Sequence, residues 1–105
     1  MPKLIKQTSG YLSQIVKGNK KYAVHLNVPG VILLYESEKE YPGSQFIYLF
    51  ADKENCISYF HTNCGNVSQI DNKLIFKSDH SCYEFTVDEN CLDESTKAEI
   101  ILNIP

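Results

Sequence analysis

The chain has 105 residues, enough for one core and too few for two, so a single domain spanning residues 1–105 is expected. Apolar residues make up 43% and charged residues 22%, which points to a soluble globular chain and away from disorder or membrane embedding. The net charge of -3 hides a division: residues 1–35 carry Lys3, Lys6, Lys17, Lys20 and Lys21 with no acid, whereas all 13 acids fall in residues 36–105.

Short apolar or alternating runs separated by turn residues dominate the chain, the pattern of an all-β domain. Leu12, Ile15 and Val16 lie at helical spacing between Ser9 and Gly18, so a short helix stays open over 9–17; strand is the reading adopted. Tyr22, Val24, Leu26 and Val28 alternate with polar or small residues, which predicts a half-buried strand over 21–28 with His25 facing solvent. After Pro29-Gly30, the continuous apolar run Val31–Tyr35 predicts a central strand covered on both faces.

A polar loop, 36–44, leads to a strand at Phe46–Ala51, and Asp52–Asn55 turns into another at Cys56–His61. Further strands are predicted at Val67–Ile70, Lys73–Lys77 and Cys82–Val87, with turns at Asp71-Asn72 and Ser78–Ser81. Asp93–Glu99 admits a helical turn but is read as strand with the final apolar stretch Ala98–Ile104. The sum is an antiparallel Greek-key β-sandwich of about eight short strands. The recurrence of Ser-Gln-Ile at 13–15 and 68–70, each followed by Asn-Lys, suggests two related halves rather than a ligand loop used twice.

The longest apolar run is far short of the roughly 20 residues that span a membrane, and MPKLIKQTSG lacks the apolar segment of a signal peptide. A cytoplasmic location without membrane contact is therefore expected, with Cys56, Cys64, Cys82 and Cys91 reduced; in a secreted setting they would allow three disulfide pairings. Every cation is lysine, so the guanidinium fork that dominates guanine and phosphate contacts is missing, and direct nucleic-acid binding is not expected.

His61 with Cys64 and His80 with Cys82 offer zinc-type donors, yet the paired cysteine spacing of structural sites is lacking, and no metal or other cofactor is assigned. No local signature couples a cysteine to a histidine as nucleophile and base, nor selects two histidines and a lysine for acid-base work, so a non-enzymatic role is expected. The acids are more suggestive. Glu36, Glu38 and Glu40 cluster beside Tyr41, and Asp88, Glu89, Asp93 and Glu94 accumulate where no lysine occurs between Lys77 and Lys97. Such clusters steer cationic proteins, and a tyrosine among them supplies apolar contact area, so these eight residues are the predicted partner-binding set.

Val31-Ile-Leu-Leu-Tyr-Glu36, Tyr41-Pro-Gly43, Phe46 and Ser58-Tyr-Phe60 together resemble a βγ-crystallin Greek key over about 40 residues. This resemblance implies Greek-key architecture and a ligand-binding β module, taking calcium or, through exposed tyrosines, carbohydrate. Gly65–Ile70 departs from that family's calcium signature, lacking its acidic residue and second serine. The chain as a whole resembles the small immunity proteins of bacterial toxin-immunity pairs of the contact-dependent growth inhibition type, in length, β-rich pattern and clustered acids. That resemblance implies cytoplasmic neutralisation of a basic, RNase-like nuclease toxin by covering its active site, and it is the leading expectation.

Overall fold

The computed structural model describes residues 2–39, 41–53 and 56–105. Strands β1 (Lys3–Lys17), β2 (Gly30–Glu36), β3 (Gln45–Lys53) and β4 (Cys56–His61) follow one another as a meander. β5 (Asn66–Ile70), β6 (Lys73–Lys77) and β7 (Cys82–Val87) form a second meander, and α1 (Glu94–Leu102) ends the chain. All seven strands belong to one antiparallel sheet in the order β4-β3-β2-β1-β7-β6-β5. The expected Greek-key sandwich of about eight strands is thus replaced by two meanders joined through β1 and β7.

β1 makes that joint because it serves two partners in turn. Residues Lys3–Gly10 pair with β2, and Gly10–Lys17 pair with β7, with register shifts that bend the strand. Gly10 stands where the two ladders meet, opposite both Gly30 and Val87. A side chain at Gly10 would strike the Thr86 carbonyl and lie 2.7 Å from the Ile32 methyl, so glycine is what lets the backbones cross there.

At the other end the sheet closes on itself. After β4 the chain stays beside β3: the Thr62 N–H donates to the Ile47 carbonyl at 2.9 Å, and Gly65 and Gln45 exchange two backbone bonds of 2.8 Å. The Gln45 side-chain carbonyl also accepts from the Val67 N–H at 3.2 Å, just where β5 departs toward β6. The result is a curled sheet with a closed interior. Leu12, Ile32, Leu34, Ile47, Leu49, Phe60, Leu74, Phe76, Tyr83 and Phe85 fill it. Val31, Leu33 and Phe50 point to the outer face, where Ile100 of α1 covers them. The double burial of β2 expected from its sequence is therefore met by two different cores.

Two segments read as strand are helical. Residues Lys20–His25 form a 3-10 helix opened by the Asn19 side chain, which accepts from the Lys21 N–H at 2.9 Å. Of the expected strand, Leu26 bridges to Leu12, and the Asn27 N–H donates to the Leu12 carbonyl at 2.8 Å. Tyr22 and Leu26 pack on the interior while Val24 is 59% exposed, so the alternation did not mark one face. His25 is half-buried against Phe60, at 5.3 Å between ring centroids, rather than turned to solvent.

Residues Glu94–Leu102 are α-helix, not the final strand. Asp93 caps it, accepting from the Thr96 N–H at 2.7 Å, and Ile100, Ile101 and Ile104 lean on β2 and β3. The strand reading of 9–17 holds, within β1. The two Ser-Gln-Ile segments become strands flanking the β6–β7 pair and running antiparallel to each other.

Candidate functional site

The outer face of β2, β3 and β4 is built by strand alternation. Val31, Leu33 and Tyr35 on β2, Phe46, Tyr48 and Phe50 on β3, and Ile57, Tyr59 and His61 on β4 share it by register. α1 covers only part of this face. Tyr35 and Tyr48 pack half-buried against the cluster that contains Ile100, and with half-buried Phe46 and exposed Tyr59 and His61 they make a field of rings beside the helix.

The rings are in mutual contact. Tyr35 stacks on Phe46 across the strands, at 5.3 Å and 14°, and Tyr48 lies 5.4 Å from His61. Tyr59 stacks on His61 at 6.1 Å and 16° and on Phe50 at 5.9 Å and 30°. Cross-strand aromatic pairs of this kind hold one another in place, so the face is rigid before any ligand arrives. Tyr59 is 59% exposed although it sits mid-strand. An open groove of about 590 Å³ runs between these rings and the end of the chain, with Tyr48 and Tyr59 on one wall and Ile104 and Pro105 on the other.

The structure separates the two predicted acidic clusters. Glu36 directly follows Tyr35 at the end of β2, and Glu38 and Tyr41 are exposed in the adjoining hairpin loop, so this cluster borders the aromatic face. Glu40 lies outside the described residues. Asp88 sits at the opposite end of β2, its N–H donating to the carbonyl of Ser9, which pairs with Val31. Five residues of strand from Val31 to Glu36 put the clusters roughly 17 Å apart.

The second cluster is also engaged locally. Glu89 accepts from the Thr8 hydroxyl and lies 3.6 Å from the Lys97 ammonium; chiefly the hydroxyl, then Lys97, holds its carboxyl below the usual range. Asp93 is the α1 cap, and the Thr96 N–H lowers its carboxyl likewise. The Asp88 side chain accepts from the Asn90 N–H at 2.9 Å, leaving Glu94 exposed in the first helical turn without such a bond. The two clusters do not form one surface.

Among the described residues no three His, Cys, Asp or Glu side chains stand together as metal ligands. His61 and His80 line one cleft together with Lys17, while Cys64 opens onto a neighbouring depression. The four thiols are unpaired, and burial, followed by the charge of Asp88, pushes that of Cys91 up, the wrong direction for a nucleophile.

Tyr35, Phe46, Tyr48, Tyr59 and His61 are absent from the predicted site set. Their signal was present as aromatics at alternate positions, 46, 48 and 50 on one strand and 59 and 61 on the next. Only knowing where α1 stops distinguishes a buried aromatic face from an open one. In comparisons with known proteins, no family model, curated protein or solved structure matches the chain.

Proposed function

We propose that the protein is an immunity-type inhibitor that acts in the cytoplasm, binding a basic, RNase-like nuclease toxin and covering its active site. The supporting observation is the field of rings on β2–β4, exposed at Tyr59 and His61 and half-buried at Tyr35, Phe46 and Tyr48, bordered by the acidic hairpin of Glu36, Glu38 and Tyr41. Rigid aromatic side chains give large contact area at small entropic cost and make the usual energetic centre of a protein interface. Carboxylates at its rim accelerate encounter with a cationic surface and set its salt dependence.

This division assigns different roles to different residues. Tyr48 and Tyr59 anchor, Glu36 and Glu38 steer, and the Asp88–Glu94 cluster, engaged in capping and in the Thr8 and Lys97 contacts, contributes less. The test is calorimetric titration against basic, RNase-like toxin nuclease domains, the cognate one being found by pull-down with this chain. Tyr59→Ser should weaken binding by about 2 kcal/mol or more, whereas Glu36→Gln with Glu38→Gln should mainly slow association and flatten its salt dependence. Full affinity in Tyr59→Ser would remove the assignment.

A second reading follows from the groove itself. Stacked rings beside an open channel with the Asn103 amide on its wall suit a sugar ring, which would make the protein a carbohydrate-binding β module. A calcium-binding variant of this reading rests on the crystallin-key resemblance of residues 31–36, 41–43, 46 and 58–60 alone. Thermal shift with oligosaccharides and with millimolar calcium tests both, because a ligand of the native state alone raises apparent stability.

A further inference from the structure

We propose that the open end of the curled sheet is a second binding site, for a phosphate-bearing small molecule. It shares His61 with the aromatic face and otherwise draws on different residues. A cleft of about 510 Å³ opens there, between the end of β1, the 3-10 helix, the end of β4 and the β6–β7 turn, and the mouth of a closed sheet is a common place for a ligand.

The chemistry of the lining is one-sided. Lys17 and Asn19 come from the end of β1 and the turn after it, His61 and Asn63 from the end of β4, and His80 from the β6–β7 turn, so three separate stretches converge on one space. Among the described residues no acidic one lines it, although the chain as a whole carries 13 acids and a net charge of -3. Lys20 and Lys21 follow directly in sequence and add to the local positive field. The side chains offer ammonium, imidazole, amide and hydroxyl donors, the set that holds a phosphate's oxygens.

Local geometry keeps these donors aimed at the cleft. The Asn19 side-chain carbonyl is taken by the Lys21 N–H, which leaves its amide nitrogen free to donate. Gly18 has a φ of 148°, and a Cβ there would lie 3.0 Å from the Tyr83 hydroxyl, so glycine lets the backbone between Lys17 and Asn19 lie against the cleft floor. The Lys17 ammonium donates to the Asp79 carbonyl at 3.3 Å, which ties it to the turn that bears His80.

A smaller depression of about 380 Å³ continues from the cleft, sharing Asn63 and His80 with it and adding Lys77. Its acid, Asp79, lies on that side only. A lysine at each end suits a phosphate carrying a further group, such as a nucleotide, as well as free phosphate.

The experiment is an amide-resolved NMR titration of the full chain with inorganic phosphate and, separately, with AMP, at constant ionic strength held by chloride. Saturable shifts at Gly18, Asn19, Asn63 and Ser81 are expected, and Lys17→Gln or His80→Gln should weaken binding about tenfold, as loss of one charge-assisted bond does. Lys3→Gln, remote on β1, should leave it unchanged. Tighter binding of AMP with added shifts at Asn66 and Lys77 identifies a nucleotide-like ligand, and equal binding identifies the phosphate group alone. No saturable shifts by about 10 mM of either, or equal affinity in Lys17→Gln with an otherwise unchanged spectrum, overturns the proposal.

Discussion

Replacing Ile100 by alanine asks how firmly α1 is held on the outer face of the sheet. Ile100 is fully buried and forms the second core with Val31, Leu33 and Phe50, which are 0%, 2% and 7% exposed. The substitution removes three carbon groups worth about 0.8 kcal/mol each in transfer alone. The cavity left behind adds to this, and buried isoleucine truncations cost about 2–5 kcal/mol in total, so a loss of about 3–4 kcal/mol is expected. That is a large share of the roughly 5–15 kcal/mol that holds a domain of this size. Urea unfolding followed by tyrosine fluorescence and far-ultraviolet circular dichroism measures it, with a midpoint drop of more than about 1 M. Leu102→Ala, at an 85% exposed position of the same helix, should stay within about 0.5 kcal/mol. A loss below about 1 kcal/mol for Ile100→Ala would mean that α1 does not cover the face, and the boundary of the open aromatic field would be wrong.

Acidification should destabilise the protein in two steps. Burial, then Lys53, lowers the imidazole of His25 from its ordinary 6.5, so the unfolded chain takes up the proton first and stability falls as pH drops below about 6.5. The Glu89 carboxyl is lowered from 4.5, so its contribution is intact above that pH and is lost as pH falls through its folded value. Melting temperatures between pH 8 and 3 check both, and His25→Gln should abolish the upper step alone. Gly30→Ala drives a Cβ into the Phe50 carbonyl and should cost about 1–3 kcal/mol by urea unfolding. Gly43→Ala meets no neighbour within 4 Å and carries only the strain of its φ of 83°, about 1 kcal/mol.

The strands were legible where burial follows a simple period. Val31–Leu34 announced a strand covered on both faces, and Leu74 and Phe76 on β6, with Tyr83 and Phe85 on β7, fall inward as alternation requires. Sequence periodicity could not show that β1 would divide its pairing between β2 and β7, because that depends on Gly10 meeting both Gly30 on the next strand and Val87 on a strand distant in the chain. Residues 21–28 misled because Tyr22, Val24, Leu26 and Val28 fit a strand, while the Asn19 cap that favours a 3-10 turn is a single side chain. The Asp93 cap before Glu94 was a sufficient signal for α1, outweighed by the β-branched run Ile100-Ile101. For the site, charge clustering singled out the hairpin at Glu36, Glu38 and Tyr41, which the fold sets beside the aromatic face. It also singled out Glu89 and Asp93, whose carboxylates are engaged within the fold in ways composition does not reveal.

The central claim is that the open rings of β2–β4 make the contact that inactivates a toxin. Its most direct test is the ribonuclease activity of the toxin domain captured by pull-down with this chain, titrated with the wild-type protein and with a Tyr48→Ser/Tyr59→Ser variant of unchanged melting temperature. Stoichiometric loss of nuclease activity with the wild type, and at least a tenfold weaker effect with the variant, is the predicted result. Equal inhibition by both, or none by the wild type, would contradict it.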